Sequence, residues 1–207
     1  MGTGVAPLGP LDAIVLAGGA GSRFGGGKLL APWREGLLIE AALDAAFAAP
    51  VRSVILVTGA DEGVMPVALE YALREGEAAR LEIVHARNHT EGMSATLKAG
   101  LAALPPDCAG VFVFLGDMPT IPLAVPPALA RALNGGIVAA VPTFEGRRGH
   151  PVLFGAPLFP ALAQLSGDEG GRSVLLGLEP DRLARVGTPF PGVLFDVDVR
   201  EDLAKPG

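Results

Sequence analysis

Two cationic side chains stand inside a glycine-rich segment near the start of the chain. The segment is LAGGAGSRFGGGK, Leu16–Lys28, and six of its thirteen residues are glycine. Arg23 and Lys28 are the only basic residues between Met1 and Pro32. Glycine lets a backbone approach an anion closely and turn its N–H groups toward it. The segment therefore predicts a cradle for the phosphates of a nucleoside triphosphate.

Two better-known glycine motifs do not fit this segment. A dinucleotide fingerprint, G-x-G-x-x-G, that starts at Gly19 needs glycine at position 24, where Phe24 stands. A P-loop that ends at Lys28 needs glycine at position 22 and Ser or Thr at position 29, where Ser22 and Leu29 stand. The remaining alternative is a flexible loop whose two cations are simply solvated. Long loops in compact domains usually carry function, which favours the phosphate cradle.

A single carboxylate follows an apolar run farther along the chain. Asp117 is the only charged residue in Val111–Pro122, and it comes soon after the predicted buried strand Val111–Leu115. Mg²⁺ prefers one or two carboxylates together with phosphate oxygens and water. Asp117 therefore fits a magnesium ion that is held mainly through a nucleotide. The alternative is an Asp that closes the strand in an Asx-type turn.

A second pair of carboxylates lies near the end of the chain. Asp196 and Asp198 stand two residues apart at the predicted strand Val193–Val197. Alternate residues of a strand share one face, so either carboxylate could complete the metal site. Asp198 has a second possible role as the cap of a helical turn predicted at Arg200–Ala204, and the two roles are compatible.

Three further residues carry a weaker signal. Ser94 opens a predicted helix, whose N-terminal N–H groups can bind an anion or a base edge; its alternative role is a helix cap. Arg172 stands at the start of another predicted helix and has the planar fork that grips phosphate, or it is an ordinary surface arginine. Cys108 has no cysteine partner and no histidine at ligand spacing, so the sequence carries no zinc signature.

These residues fall in the loops of a predicted α/β fold, since short apolar runs alternate with helical patterns. The predicted strands are Ala13–Leu16, Ser53–Val57, Leu81–Val84, Val111–Leu115, Gly136–Val141, Val152–Phe154 and Val193–Val197. The predicted helices are Leu37–Ala48, Met65–Arg74, Met93–Leu104 and Gly171–Leu176, with a last turn at Arg200–Ala204. Ligands of such sheets bind beyond the carboxyl ends of the strands. We therefore expect the loops after Leu16, Leu115 and Phe195 to meet.

The domain organisation is expected to be simple. We predict a flexible leader over residues 1–10 and one α/β domain over residues 11–207. Its fold class is α/β: a single Rossmann-like domain with a mostly parallel twisted sheet, flanking helices and a small β-hairpin insertion. The hairpin is expected around the turn-rich segment Glu145–Gly149.

Composition excludes several classes of protein. No apolar run reaches the ~18–20 residues that cross a bilayer, and no basic residue precedes the first apolar run, so we expect neither a membrane protein nor a secretory signal. The net charge of -6 argues against a general nucleic-acid binder. The single cysteine fits a reducing compartment. We therefore expect a cytoplasmic protein.

Six sequence blocks resemble the MobA-like NTP transferases, and the later ones resemble the molybdenum cofactor cytidylyltransferase branch of that family. They follow in order along nearly the whole chain: LAGGAGSRFGGGKLL (Leu16–Leu30), EGMSATLKAGL (Glu91–Leu101), LGDMP (Leu115–Pro119), GHPVLF (Gly149–Phe154), LSGDEGGRSVL (Leu165–Leu175) and FDVDVREDL (Phe195–Leu203). Any single block is a weak signal, whereas six in order are a specific one.

The resemblance implies an Mg²⁺-dependent nucleotidyltransferase that moves CMP from CTP onto the terminal phosphate of a molybdopterin-type acceptor and releases pyrophosphate. A molybdoenzyme would receive the product. The implied catalytic residues are Arg23, Lys28 and Asp117, and the implied metal ligands are Asp117 and Asp198. The implied nucleotide-binding residues are Leu16, Ala17, Gly18, Gly19, Gly21, Ser22, Arg23, Lys28 and Ser94. His150, in GHPVLF, and Arg172 are the implied acceptor-binding residues.

Two departures from the family pattern leave questions open. The cytidylyl branch commonly reads Leu-Ala-Ala-Gly at the loop start, whereas this chain has Gly18 at the third position, as the guanylyl branch does. The nucleotide is therefore CTP or GTP, with the later blocks favouring CTP, and a sugar phosphate is a third possible acceptor. Val199 and Arg200 stand where the family usually shows Thr-Pro, which is a departure directly beside Asp198.

Two functions from other classes are also open to test. Some relatives of the family are named oxidoreductases, although the failed dinucleotide fingerprint speaks against a nicotinamide cofactor. A non-catalytic chaperone that delivers cofactor to a molybdoenzyme is the other alternative. Retention of both Lys28 and Asp117 favours an enzyme over this binding protein.

Overall fold

The computed structural model describes residues 9–205. Most of the leader predicted over residues 1–10 lies outside that range. Pro10 lies inside it, and its carbonyl accepts a hydrogen bond from the Ala109 backbone at 2.9 Å. Within residues 9–205, no helix combines the length and the apolar character needed to span a membrane.

The part of the chain from residue 9 to residue 205 contains ten strands and six α-helices. The strands are β1 (Leu11–Ala17), β2 (Pro32–Trp33), β3 (Gly36–Leu37), β4 (Val54–Thr58), β5 (Leu81–His85), β6 (Gly110–Leu115), β7 (Ala139–Phe144), β8 (Arg147–Arg148), β9 (Val152–Gly155) and β10 (Leu183–Gly187). The helices are α1 (Leu38–Phe47), α2 (Val64–Arg74), α3 (Met93–Ala102), α4 (Val125–Ala132), α5 (Phe159–Leu162) and α6 (Arg172–Leu176).

The main sheet has the strand order β10-β7-β9-β6-β1-β4-β5, and β8 forms a hairpin with β7. Neighbouring strands run parallel except around β9, which is antiparallel to both β6 and β7, and in the β7–β8 hairpin. The strands β1, β4 and β6 are apolar and almost fully buried, as expected for parallel strands covered on both faces. The predicted α/β fold class is confirmed.

Alternate side chains of the strands belong to two apolar clusters, one on each face of the sheet. Val15 packs with residues of α1, α2 and α4, whereas its neighbour Ile14 packs with residues of α3, α5 and α6. This alternation follows from the two-residue period of a strand. The carboxyl ends of the parallel strands β1 and β6 lie at the same edge of the sheet, where the loops that follow them can meet.

The strand predicted at Val193–Val197 is wrong. The segment Pro191–Leu194 is a 3₁₀ turn, and the residues after it pair with no strand of the described chain. Val193 and Val197 are fully buried in the core, which produces an alternating pattern without a sheet. A Cβ on Gly192 would lie 2.1 Å from the Thr120 carbonyl oxygen, so the turn packs closely against Thr120 and leaves no room for a side chain at this position.

Other differences concern boundaries and omissions. The strand predicted at Gly136–Val141 begins only at Ala139, because Gly135 and Gly136 adopt positive φ angles of 56° and 102°. Sequence analysis missed the helices α4 and α5, the strand β10 and the small β2–β3 hairpin. The remaining predicted strands and helices are present, and none of their ends is shifted by more than two residues. The helical turn predicted at Arg200–Ala204 is present as a 3₁₀ turn.

Candidate active site

The glycine-rich segment leaves β1 and is fixed to the core by one aromatic side chain. Phe24 is buried, and its backbone N–H and that of Gly26 both donate to the Gly21 carbonyl at 3.0 and 3.2 Å. Gly21 has φ of 57°, and a Cβ there would lie 3.0 Å from Cβ of Lys28. Glycine at this position therefore permits the turn that brings Lys28 back over the loop.

Several N–H groups of the loop are not used by the fold. No backbone carbonyl within residues 9–205 accepts a hydrogen bond from Gly19, Ala20 or Ser22, and all three residues are exposed. Unpaired, outward N–H groups next to cations form the kind of concavity that binds phosphate. The local geometry is therefore compatible with the predicted cradle.

Lys28 lies at the centre of a cluster of four charged side chains. Its Nζ donates to Oδ2 of Asp117 at 2.6 Å and lies 3.9 Å from Oδ1 of Asp198. Arg23 reaches Oδ2 of Asp198 at 3.3 Å. The Lys28 and Asp117 side chains are 14% and 24% exposed, whereas Asp198 is 50% and Arg23 79% exposed. The inner pair is shielded from solvent screening, and the outer pair faces solvent.

The sheet explains why these residues meet. β1 and β6 are parallel neighbours with Leu16 opposite Leu115, so the loops that carry Lys28 and Asp117 leave the same edge. The third segment is tied to them by its backbone, since the Val197 N–H donates to the Asp117 carbonyl at 3.0 Å. The predicted meeting of the three loops is found, although the third is not preceded by a strand.

Asp117 does not behave as a simple turn residue. Its carboxylate contacts Lys28, and among residues 9–205 no backbone N–H of its own turn donates to it. The bond that closes the strand is a backbone one, from the Met118 N–H to the Leu115 carbonyl at 3.2 Å. The Asx-turn alternative therefore has no support in the geometry.

Asp198 is held in place by a residue that sequence analysis missed. Oδ2 of Asp202 accepts hydrogen bonds from the backbone N–H groups of Asp198 and Val199 at 2.8 and 2.9 Å. Asp198 is not the cap of the last turn, because the residue before that turn is Val199. An acid three residues into a helical turn is a recognised start signal, so Asp202 could have been found from the sequence.

Asp196 takes no part in the ion pairs. Among residues 9–205 only Asp198, of these two acids, lies within salt-bridge distance of a cation. Partial burial raises the pKa of the Asp196 carboxyl, and the negative charges of Asp117 and Asp198 raise it further. The geometry therefore favours Asp198 over Asp196 as the partner of Asp117.

The donor set is chemically suited to a hard divalent cation. Asp117 and Asp198 offer carboxylate oxygens on either side of Lys28, and both are accessible from solvent. In the described part of the chain, no group of three or more His, Cys, Asp or Glu side chains is arranged to hold a metal by itself. Two carboxylates that share a metal with nucleotide oxygens and water are the pattern typical of Mg²⁺.

Ser94 lies apart from this charged cluster. It is buried, and its backbone N–H donates to the Gly167 carbonyl at 3.1 Å. The cap of α3 is Gly92, so Ser94 is not a helix cap either. Ser94 instead lines a cleft of about 430 Å³ together with Lys98 and Gly167.

His150 and Arg172 line one cavity of about 480 Å³ that also contains Leu16, at the start of the glycine-rich segment. The cavity has an apolar floor and a cationic rim formed by three arginines; Asp168 is its one acidic lining residue among those the structure describes. The floor residues are Leu16, Leu97, Val113, Leu115, Val152 and Phe154, and the arginines are Arg147, Arg148 and Arg172. An apolar floor with a cationic rim suits a flat ligand that carries phosphate.

His150 is a neutral group in this cavity. Burial lowers the pKa of its imidazole, although the Val113 backbone and the charge of Asp117 act in the opposite direction. Its Nδ1 is buried and has no hydrogen-bond partner within residues 9–205. An uncharged ring can accept a hydrogen bond from a ligand or donate one to it, but it supplies no positive charge.

The comparison with known proteins decides the family. The MobA-like NTP transferase domain matches residues 13–183, which includes the glycine-rich segment, Asp117, His150 and Arg172. The chain belongs to the MobA-like NTP transferase family. As a member it is a nucleotidyltransferase, which confirms the predicted enzyme class.

Two curated relatives of this MobA-like transferase have different names. One is the molybdenum cofactor cytidylyltransferase of Escherichia coli strain K12, which is 28% identical over 166 residues, 80% of this chain and 81% of that protein. The other is the nicotine blue oxidoreductase of Paenarthrobacter nicotinovorans, which is 31% identical over 173 residues, with the same two coverages of 80% and 81%.

Two solved structures share this fold. The crystal structure of Rv0371c from Mycobacterium tuberculosis is 27% identical, covers 94% of this MobA-like transferase and 96% of its own chain, and superposes with a TM-score of 0.75. The same mycobacterial protein has been solved as a complex with manganese, at 24% identity, coverages of 86% and 88% and a TM-score of 0.64.

Proposed function

We propose that this transferase is an Mg²⁺-dependent enzyme that moves CMP from CTP onto the terminal phosphate of a molybdopterin-type acceptor. An oxygen of the acceptor phosphate attacks the α-phosphorus of the nucleotide. The bond from that phosphorus to the oxygen bridging the β-phosphate breaks, and pyrophosphate leaves. Because a phosphate nucleophile is already ionised at neutral pH, the reaction needs positioning and charge neutralisation but no strong base.

The observation that carries this proposal is the convergence of Arg23, Lys28, Asp117 and Asp198 at one edge of the sheet. In the protein alone Lys28 and Asp117 neutralise each other at 2.6 Å. The phosphates of a nucleotide offer Lys28 a competing anionic partner, and Asp117 is then available to a metal together with Asp198. Arg23 is mostly exposed and can turn toward the outer phosphates. The N–H groups of Gly19, Ala20 and Ser22 complete the contact with phosphate.

The choice of metal and the cell compartment are parts of the proposal. Bound Mg²⁺ supplies electrostatic stabilisation of the charge that develops on the departing pyrophosphate. The manganese complex of the mycobacterial relative supports a divalent metal in this fold. The single cysteine, Cys108, supports a reducing cytoplasm.

The acceptor is assigned to the cavity lined by His150 and Arg172. Its apolar floor suits a flat pterin ring, and Arg172 has the planar fork that binds a phosphate in two places. Leu16 belongs both to this cavity and to the end of β1, so the cavity adjoins the start of the phosphate cradle. Binding the two substrates in adjoining spaces is what a direct transfer requires.

The nucleotide preference rests on the relatives. The name of the Escherichia coli relative supports CTP. The guanylyl branch has glycine at the position of Gly18, so GTP is the alternative nucleotide. A sugar phosphate remains the alternative acceptor. A molybdoenzyme that receives the product is a further part of this proposal.

Pyrophosphate release tests the proposed reaction. The purified protein is incubated with CTP, GTP or ATP, each with a molybdopterin acceptor, with a sugar phosphate or with neither, and with and without Mg²⁺. We expect release only when acceptor and metal are both present, and fastest with CTP. Fastest release with GTP would show that GTP, not CTP, is the preferred nucleotide. Release with a sugar phosphate but not with the molybdopterin acceptor would show that the proposed acceptor is wrong. Absence of release under every condition would contradict nucleotidyl transfer.

The oxidoreductase alternative is favoured by one observation, the name of the 31% identical relative. It predicts that a reduced nicotinamide loses its absorbance when substrate is added, with no pyrophosphate. The chaperone alternative predicts tight nucleotide binding, with neither pyrophosphate release nor a change in nicotinamide absorbance. The same protein preparation therefore separates the three functions.

A further inference from the structure

An arginine of the last turn lies over an aromatic ring of the glycine-rich segment. The guanidinium carbon of Arg200 is 4.7 Å from the centroid of the Phe24 ring. Phe24 is 3% exposed and lies in the 3₁₀ turn that also contains Arg23, whereas Arg200 is exposed and begins the turn Arg200–Ala204. Among residues 9–205 no carboxylate lies within salt-bridge distance of Arg200. Because the face of an aromatic ring attracts a cation, Phe24 is the partner of this arginine.

The backbone at position 200 does not require an arginine. Val199 has φ of -130° and ψ of 164°, the extended conformation that usually precedes a proline. Within residues 9–205 no carbonyl or carboxylate accepts a hydrogen bond from the Arg200 N–H. Proline, which the family usually shows here, would therefore fit as the first residue of the turn. What the arginine adds is the contact of its side chain.

Two ion pairs also join these segments, but they use groups that the substrates need. Arg23 and Lys28 approach Asp198 at 3.3 and 3.9 Å. In the proposed reaction both cations turn to phosphate and Asp198 binds the metal, so both ion pairs are given up. The contact of Arg200 with Phe24 uses none of these groups. It is therefore suited to join the two segments both before and after the substrates bind.

We propose that Arg200 is a positioning residue, which through Phe24 ties the segment that carries Asp198 to the glycine-rich segment. The side-chain contact takes the place of the rigidity that proline would give the backbone. The two effects are similar in size, since each changes an equilibrium by about two- to fivefold. The structural half of this inference concerns packing alone. The functional half, that the contact lowers the Mg²⁺ concentration the enzyme needs, rests on the proposed function.

Hydrogen exchange tests the structural half, with the Val197 amide as the reporter. This N–H donates to the Asp117 carbonyl at 3.0 Å, and it exchanges when the segment moves away. R200A is expected to lower its protection factor about threefold. The amide of Leu56, in the buried strand β4, is the reference and should keep its protection. Unchanged protection at Val197, or an equal loss at Leu56, would overturn the proposal.

Two further variants separate the ring contact from other effects of the arginine. F24L removes the ring and keeps an apolar side chain, so R200A in the F24L background is expected to change the Val197 protection by less than about 1.5-fold. An equal loss in both backgrounds would show that Arg200 acts elsewhere. R200P removes the cation but stiffens the backbone, and it is expected to keep the protection within about 1.5-fold of the parent. A loss as large as that of R200A would overturn the comparison with proline.

The functional half is measured as the KM for Mg²⁺ in pyrophosphate release. R200A is expected to raise this KM about threefold, because a smaller fraction of the protein holds Asp198 in place. The kcat should stay within about 1.5-fold of the parent, since bound metal then holds Asp198 itself. R182A removes an exposed arginine outside the charged cluster and should change neither value.

An unchanged KM for Mg²⁺ in R200A would overturn the functional half. Hydrogen exchange requires neither substrate nor turnover. A protein that releases no pyrophosphate would therefore contradict the proposed function, while the Val197 protection factors would still decide the structural half.

Discussion

Asp117 and Asp198 compete for the same lysine, whereas the neighbouring Asp196 contacts no cation of the described chain. A carboxylate that already approaches Lys28 at 3.9 Å lies where a phosphate-bound metal would be shared. This arrangement separates two acids that the sequence alone does not distinguish, since both would share a face if the segment were a strand.

Asp198→Asn is expected to raise the KM for Mg²⁺ at least about tenfold, because even indirect support of a metal site is worth that much. Asp196→Asn is the matched control and should change the same KM by less than about twofold. Pyrophosphate release is measured over a range of Mg²⁺ concentrations at saturating nucleotide. Equal effects of the two substitutions would contradict the assignment.

Arg172 belongs to the proposed acceptor cavity, and its loss should affect one substrate only. Arg172→Ala is expected to raise the acceptor KM by about 10-fold to 100-fold, the equivalent of one charge-assisted hydrogen bond, and to leave the nucleotide KM unchanged. Arg182→Ala removes an exposed arginine that does not line this cavity and should change neither value. A parallel rise in the nucleotide KM would place Arg172 elsewhere.

At the scale of elements, the segment from residue 191 to residue 205 carries Asp198, the proposed metal ligand, without regular sheet structure. Three contacts hold this segment in place. The Val197 N–H donates to the Asp117 carbonyl, the tilted rings of Phe195 and Trp33 pack with centroids 5.9 Å apart, and Asp202 accepts a hydrogen bond from the Asp198 backbone. Loss of one such contact should therefore alter Asp198 without unfolding the sheet.

Asp202→Asn is expected to lower Tm at neutral pH, with a difference that shrinks in acid. Lys205, then the backbone N–H groups of Val199 and Asp198, lower the pKa of the Asp202 carboxyl from 3.8 to about 2 in the folded state. Its ionised form therefore stabilises the fold above the unfolded pKa, and the contribution is lost as the pH falls toward 2. Tm measured between pH 7 and pH 2 checks this, and a constant difference would contradict it.

The regular elements could be predicted because their patterns are local. Buried parallel strands read as apolar runs, and helices such as α3 show apolar residues at helical spacing. The helix α4 was missed because Pro126 and Pro127 open it, although proline is tolerated in a first turn. β10 was missed because it is an edge strand with Arg185 at its centre. The false strand at Val193–Val197 arose because tertiary packing, not a sheet, buries its alternate residues.

The site was predictable in a different way. Asp117 and Lys28 stand out because they are charges in surroundings that have few others, and the strand-end rule brings them together. The hydrogen bond from the Val197 N–H to the Asp117 carbonyl joins segments that are remote in sequence, so it is visible only in the folded chain. The support from Asp202 is local, and an acid three residues into the last turn could have indicated it.

At the scale of the whole molecule, the two ends of the sheet have different roles. The charged cluster lies beyond the carboxyl ends of the strands, whereas an ion pair between the buried Asp12 and the partly exposed Arg52 lies at the opposite end. Asp12, near the start of β1, is fully buried and accepts hydrogen bonds from Arg52 at 2.8 and 3.2 Å and from Ser53 at 2.8 Å. Burial alone would raise the pKa of Asp12, but these hydrogen bonds outweigh it and lower the pKa.

Arg52→Ala is expected to destabilise the fold by about 2–3 kcal/mol, because it leaves a buried carboxylate without its cation. Urea unfolding measures the loss. The KM values for nucleotide and acceptor should stay unchanged at a temperature where the variant is folded, since the pair lies at the far end of the strands. A change in either KM with unchanged stability would contradict this division of roles.

The most direct test of the proposed active site is pyrophosphate release by variants of the central pair. Lys28→Met and Asp117→Asn are compared with Arg182→Met and Asp181→Asn, which remove one positive and one negative charge from exposed positions outside the cluster. We predict that the first two lower kcat by at least about 100-fold while Tm stays within a few degrees of the parent, and that the controls retain activity. Release at the parental rate by either Lys28→Met or Asp117→Asn would contradict the claim that this cluster is the active site.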